Sequence, residues 1–355
     1  MPEFKRILVV RTDRLGDVIL TLPLLPILRR RFPHARIAML TGRYAGEIVE
    51  GNPFLDELIP YDDGENPVPF GVMRRTLRDR RFDAAVVVHP TGRLAWLMFV
   101  AGIPVRVGTG YRVYGMLFNR RVYTHRKTAE RHEAEYNCGL LEPLGCTLPP
   151  GMPLDFTITI PEAADQMAGA LLRQVGVGPA DRFALVHPGS GGSAREWPVE
   201  SFGRLAALLA DRCSMPVLVT GTAAEASRVE AVVGHSGRKA TGIAGKLRLK
   251  ELAALLRRAA LLASNSTGPL HIAAAVGTPV LGFYPQIPVM GPRRWGPYTP
   301  KARVLVPDRP ADCSECTGKS GSACPCMASI SVETAAAAAA ELLETPTAKP
   351  ALHGS

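Results

Sequence analysis

The chain has 355 residues, 46% hydrophobic and 21% charged, with a net charge of +10; that balance excludes a disordered polypeptide and supplies core enough for two domains. No stretch approaches the roughly 18 uninterrupted apolar residues of a membrane span, and the best, residues 94–105, is broken by Gly102 and Pro104. The positive charge calls for an anionic partner, but Lys and Arg form no run interleaved with aromatics, which argues against nucleic acid.

In chain order, a β-branched run at 7–10 predicts the first strand, with no signal-peptide pattern ahead of it. Seven cysteines, an odd number, do not suggest a disulfide-stapled secreted domain. The expected location is the cytoplasm, with peripheral contact at the cytoplasmic face of the inner membrane. Further strands are predicted at 36–40 and 84–88, then at 183–186, 216–220, 260–263, 280–283 and 302–306. Helical patterns fall between them at 201–212, 223–233 and 249–259, followed by a short helix at 270–276 and an alanine-rich one from 334. Continuous apolar strands alternating with helices indicate parallel sheets covered on both faces. The alternation restarts near residue 180, so the expected fold class is α/β, with two Rossmann-like doubly wound domains. These span 1–165 and 166–335, and 336–355 forms the end of the last helix and a frayed tail.

The loops carry the chemistry. Arg11-Thr12-Asp13-Arg14-Leu15-Gly16-Asp17 joins the first strand to the first helix, and Gly16 permits a tight turn. Asp17 is read either as a helix-start partner or as a general base; a helix end lowers its pKa and burial raises it. His187-Pro188-Gly189-Ser190-Gly191-Gly192, with Arg195 ahead of Pro198, presents small residues whose N–H groups can meet an anion. Arg195 is either a diphosphate ligand or a solvent-facing loop residue. After the 216–220 strand, Glu225 could accept bonds from ribose hydroxyls or support the next helix. Ser266-Thr267-Gly268-Pro269 opens the short helix, where proline suits the first turn and free N–H groups converge on a phosphate-sized space. His271 lies either at that site or in a cap of its own helix. No Gly-x-Gly-x-x-Gly follows either leading strand, Asp-x-Asp is absent, and Gly318-Lys319-Ser320 lacks the first glycine of a P-loop. Cys313, Cys316, Cys324 and Cys326 could form a zinc site, but Cys-x-Cys is tight for tetrahedral geometry and the preferred reading is reduced thiols without metal.

The ordered set of the Arg11–Asp17 loop, His187-Pro-Gly-Ser with Arg195-Glu-Trp-Pro, Gly242-Ile-Ala-Gly-Lys with Glu251, and Ser266-Thr267-Gly268-Pro-Leu-His271 resembles glycosyltransferase family 9, the lipopolysaccharide heptosyltransferases. The resemblance implies a GT-B fold whose two domains face across a cleft, and an inverting, metal-independent sugar transfer without a cofactor. Asp17 matches the family's catalytic acid. His187, Gly189, Ser190, Arg195, Glu225, Ser266, Thr267, Gly268 and His271 match the side that binds the nucleotide-sugar donor, typically ADP-heptose. Arg93, Arg112 and His132 are the acceptor-side expectations, with Arg106, Arg120 and Arg121 nearby, and suit an acidic lipid-linked glycan. Ser266 stands where many members carry an acid, which leaves a different nucleotide sugar, or a non-catalytic nucleotide- or glycan-binding protein, as alternatives.

Overall fold

The structure is a computed structural model describing residues 3–148, 151–308 and 325–344. It divides into two units, Met1–Pro161 with Arg293–Trp295, and Glu162–Pro292 with Gly296–Ser355. The first therefore ends ahead of the helix that starts at Glu162, short of residue 165, and takes in a tripeptide from far along the chain.

In the first unit, β1 (Arg6–Val10), β2 (Arg36–Thr41), β3 (Glu57–Pro60), β4 (Ala84–Val87), β5 (Val105–Thr109) and β6 (Arg120–Val122) form one parallel sheet in the order β3-β2-β1-β4-β5-β6. The helices are α1 (Leu15–Ile19), α2 (Leu24–Arg31), α3 (Arg43–Val49), α4 (Phe70–Asp79), α5 (Gly92–Val100) and α6 (Glu133–Gly139). Ile7 sits beside Ile37 on one flank and Ala84 on the other. Both faces of β1 and β4 are covered, which is why they read as unbroken apolar runs. The short β3 and β6 lie on the edges, and β5 contains Arg106; these three lack such a run.

The second unit repeats the winding. Its strands β7 (Ala184–His187), β8 (Val217–Val219), β9 (Ala240–Gly242), β10 (Leu261–Asn265), β11 (Val280–Phe283) and β12 (Ala302–Leu305) pair in parallel as β12-β11-β10-β7-β8-β9. Its helices are α7 (Glu162–Gln174), α8 (Val199–Cys213), α9 (Ala226–His235), α10 (Leu249–Arg258) and α11 (Gly268–Ala275); after α12 (Pro292–Trp295), whose Arg293–Trp295 belong to the first unit, come α13 (Pro325–Ala328) and α14 (Val332–Glu344). Trp197 anchors this core. It stacks on Phe283 at 4.2 Å, meets Phe202 edge-on at 4.9 Å, and donates Nε1 to the Ile330 carbonyl at 3.0 Å. The described part of 336–355 is the rest of α14, whose Ala336, Ala338, Ala339 and Leu342 join the same core.

Each sheet reverses its winding once, between β1 and β4 and between β7 and β10. In open parallel sheets, ligands collect beyond the carboxyl ends of the strands at that reversal. The loops after β1, β7 and β10 are therefore where chemistry is expected. Among the described residues no helix is long and apolar enough to cross a membrane.

Candidate active site

In the first unit, β1 delivers Arg11 into the interior, 1% exposed. Its Nε donates to Asp13 Oδ1 at 2.6 Å, and its Nη2 donates to Asp17 Oδ1, in the first turn of α1. Nη1 faces the buried Glu133 Oε1 at 3.8 Å. Glu133 opens α6; it is paired by Arg126, and its Oε2 accepts from Arg294 Nε at 2.9 Å. One turn further on, Asn137 accepts from Arg126 at 3.1 Å and donates to the Leu20 carbonyl at 3.0 Å, tying α6 to the end of α1. Three carboxylates and three guanidiniums thus form one network around Asp17.

In this network the two opposing influences on the Asp17 pKa are unequal. Burial dominates and lifts its pKa from 3.8 to about 6, while Arg11 holds it down against a larger rise. Burial alone would also raise Glu133, but Arg126, Arg294 and Arg11 together keep that carboxyl below its ordinary value. Asp17 is therefore the member of the set that can exchange a proton near neutral pH, and Glu133 is a fixed negative charge. The sequence offered Arg11 only as the first residue of the loop that carries Asp17, and Arg126, Glu133 and Arg294 were not singled out in it. Glu133 had a local signal beside His132, whereas Arg294 lies 161 residues from its partner and had none.

The expected acceptor-side residues are dispersed. Arg93 starts α5, donating to the Tyr61 hydroxyl at 3.0 Å and the Val68 carbonyl at 2.8 Å. Arg112 and Arg120 are exposed. Arg106 donates to the Leu117 carbonyl at 2.8 Å and Arg121 to the Phe118 carbonyl at 3.0 Å, so both hold loop backbone in place. The His132 ring caps α6, its Nδ1 accepting from the Ala134 amide at 3.2 Å; it thereby fixes the helix turn that carries Glu133.

In the second unit, the buried Asn265 at the end of β10 clamps both ends of the loop after β7, donating to the Pro188 carbonyl at 2.8 Å and accepting from the Trp197 amide at 2.9 Å. Within that loop Ser190 donates its amide and hydroxyl to Glu196 Oε1 at 3.1 and 2.7 Å, and Glu196 is paired by Arg228. Arg195 is 2% exposed, which rules out the solvent-facing alternative. His187 Nδ1 lies 2.9 Å from Thr220 Oγ1, and burial lowers its pKa to about 4, leaving a neutral ring.

Glu225 comes from the loop after β8. Its Oε2 accepts from the Thr222 amide and hydroxyl at 2.8 and 2.9 Å. Its Oε1 crosses Gly189 so closely that a Cβ there would lie 1.8 Å away. Opposing burial, the Thr222 bonds and the Arg228 charge hold Glu225 ionised, below its ordinary value. Thr267 is the N-cap of α11 and makes no side-chain cap bond, so the first-turn N–H groups are not satisfied by its hydroxyl. Ser193 Oγ donates to the Ser266 carbonyl at 3.3 Å and joins the two loops. The Ser266 side chain shares a hydrogen bond with the buried Tyr284 hydroxyl. His271 lies buried in the middle of α11, not at its cap. The loops after β7, β8 and β10 thus meet at one edge of one sheet, and they carry the buried Arg195, a helix start that its own N-cap side chain leaves unbonded, and an ionised carboxylate, group types able to bind anions and hydroxyls.

Cys313, Cys316, Cys324 and the 318–320 segment lie outside the described residues, and Cys326 is buried. Among the described residues no three His, Cys, Asp or Glu side chains are grouped to hold a metal ion.

The model of glycosyltransferase family 9 (heptosyltransferase) matches residues 71–323. Lipopolysaccharide heptosyltransferase 3 of Escherichia coli K12 is 29% identical over 286 residues, covering 76% of this chain and 79% of the relative. The crystal structure of a family 9 glycosyl transferase from Veillonella parvula superposes with a TM-score of 0.81 at 28% identity, covering 96% of this chain and 97% of that one. The structure of Escherichia coli ADP-heptose lps heptosyltransferase II gives a TM-score of 0.77 at 21% identity, over 95% of this chain and 98% of that one, and supports the shared fold.

Proposed function

The chain belongs to glycosyltransferase family 9, and from that premise we propose that it moves heptose from ADP-heptose onto an acidic, lipid-linked acceptor of a lipopolysaccharide core, at the cytoplasmic face of the inner membrane. The observation that carries the reading is Asp17: a carboxylate at the carboxyl end of β1, tuned to about 6 by burial against Arg11. A base near that value is ionised at neutral pH and still basic enough to take a hydroxyl proton as the oxygen attacks.

The proposed reaction is inverting and metal-independent. The acceptor oxygen bonds to the anomeric carbon as the bond to the diphosphate breaks, and the proton ends on Asp17. Charge then builds on the departing ADP. Arg195, with the open N-terminus of α11 at Thr267 and Gly268, supplies the positive potential that this oxygen needs. Glu225, ionised and with Oε1 turned toward Gly189, suits ribose hydroxyls, and the neutral His187 ends the neighbouring strand β7. Acceptor contacts fall to the cationic side of the first unit, where Arg93, Arg112 and His132 remain the candidates.

A second donor is favoured by one observation: Ser266 is neutral and already bonded to Tyr284, which suits fewer sugar hydroxyls than a free carboxylate there. A donor screen by mass spectrometry separates the readings. ADP-heptose is expected to be consumed fastest in the presence of acceptor, and faster turnover of another ADP- or UDP-sugar would reassign the donor. Gly189→Ala provides a check on Glu225. The added Cβ would meet Oε1 at 1.8 Å and displace the carboxylate, so ADP binding measured by calorimetry should weaken about 10- to 100-fold, the loss of one charge-assisted hydrogen bond.

A further inference from the structure

We propose that the outer face of α5 and the segment joining β5 to β6 dock the first unit onto an anionic lipid bilayer. Beyond Arg93 in its first turn, helix α5 is apolar on both faces: Leu94, Ala95, Leu97 and Met98 fill the core, while Trp96 and Phe99 on the other face stay 48% and 46% exposed. An apolar helix in a water-soluble unit normally buries every side. The two outward rings stack on each other at 5.6 Å instead of finding cover. This is the stretch that stood out as the most membrane-like in the sequence, and nothing in the sugar-transfer site uses it.

The surface continues without a break. The Arg106 guanidinium lies 5.3 Å above Phe99 and donates to the Leu117 carbonyl, and Arg121 reaches the Met116 carbonyl at 3.5 Å. Val113 and Met116 project from this segment at 88% and 70% exposure, and the exposed Tyr111 and Tyr123 meet edge-on at 5.4 Å beyond it. Clustered exposed apolar side chains mark an interaction surface. Charge selects the occupant. Between Asp83 and Glu130 the chain holds seven Lys or Arg residues and no Asp or Glu. Arg126 pairs with Glu133 and Arg93 is tied to Tyr61 and Val68, so the exposed Arg112, Arg120 and Arg121 are the guanidiniums that can meet phosphates at the headgroup boundary of an anionic membrane, where the rings and aliphatic tips insert. The inference rests on the reading of a lipid-linked acceptor and gives that acceptor a place to be met.

The test is co-sedimentation of the full chain with vesicles of phosphatidylglycerol and phosphatidylethanolamine, against vesicles of phosphatidylcholine alone. Binding to the anionic vesicles is expected, weakened by salt, with a blue shift in fluorescence that disappears in Trp96→Phe. The double variant Phe99→Ser with Met116→Ser should partition at least about tenfold less, while transfer to a soluble deacylated acceptor stays at the unsubstituted rate. Equal sedimentation of the chain and its double variant would overturn the inference. So would equal binding to neutral vesicles, or a patch-dependent dimer in ultracentrifugation. Patch-dependent vesicle binding by a chain that transfers no sugar would sink the functional reading and leave this surface standing.

Discussion

Asp17→Asn is expected to lower turnover by about 10²- to 10⁴-fold, the range for removing a positioned general base, while ADP affinity stays unchanged. The groups proposed to hold ADP come from the loops after β7, β8 and β10, all in the second unit, and Asp17 belongs to the first. Steady-state kinetics with calorimetry on the same preparation reads both quantities. The unsubstituted protein supplies a companion result. Protonated Asp17 can accept no proton, so kcat/KM should fall below pH about 6, the value set by its burial. The limb follows the free protein's pKa, tenfold per pH unit once well below it. A profile flat to pH 5, or an Asn variant that turns over normally, would remove Asp17 from the role. The stability sign is opposite to that of an ordinary salt-bridged carboxylate. Because the folded value lies above 3.8, the ionised form costs the folded state stability above about pH 6, and acidification through that value restores it.

Arg11→Met should cost both stability and rate. The guanidinium is buried and touches Asp13 and Asp17, with Glu133 at 3.8 Å. Without it, Arg126 and Arg294 still pair Glu133, but Asp13 and Asp17 lose the guanidinium that bonds them both. Breaking a buried pair from one side typically costs about 3–5 kcal/mol, which for a unit of this size corresponds to a fall of roughly 6–20 °C in the melting temperature. Arg11 is also the chief group holding the Asp17 pKa down. Its loss should therefore move the acid limb to higher pH and leave less of the base ionised at neutrality. A packing defect alone would lower the melting temperature and leave the limb in place, so the pH profile separates positioning from structure.

Much of the fold was legible because parallel strands covered on both faces must be apolar. The runs at 7–10, 84–88 and 280–283 announced β1, β4 and β11 for that reason. The edge strands β3, β6 and β9 were silent; their sequences, Glu57–Pro60, Arg120–Val122 and Ala240–Gly242, gain order from a single neighbouring strand. The Ser266–Pro269 helix start was read correctly from local chemistry, since Thr267 does occupy the N-cap position of α11 and a proline does stand in its first turn. Other positions could not be placed from local chemistry. Arg195 could have faced water, and His132 was read for its chemistry although its ring caps a helix.

By itself the sequence determined two doubly wound domains, the loops that end their strands, and the residue types waiting there. Those follow from short-range demands: apolar faces needing cover, and backbone groups needing partners within a few residues. Only the tertiary structure decided the charge state of Asp17, the burial of Arg195, and the crossing of Glu225 over Gly189. Each depends on the local dielectric and on charges brought from distant parts of the chain, such as Arg294 beside Glu133. Residues far apart in sequence set these energies, and no local pattern records which of them will meet.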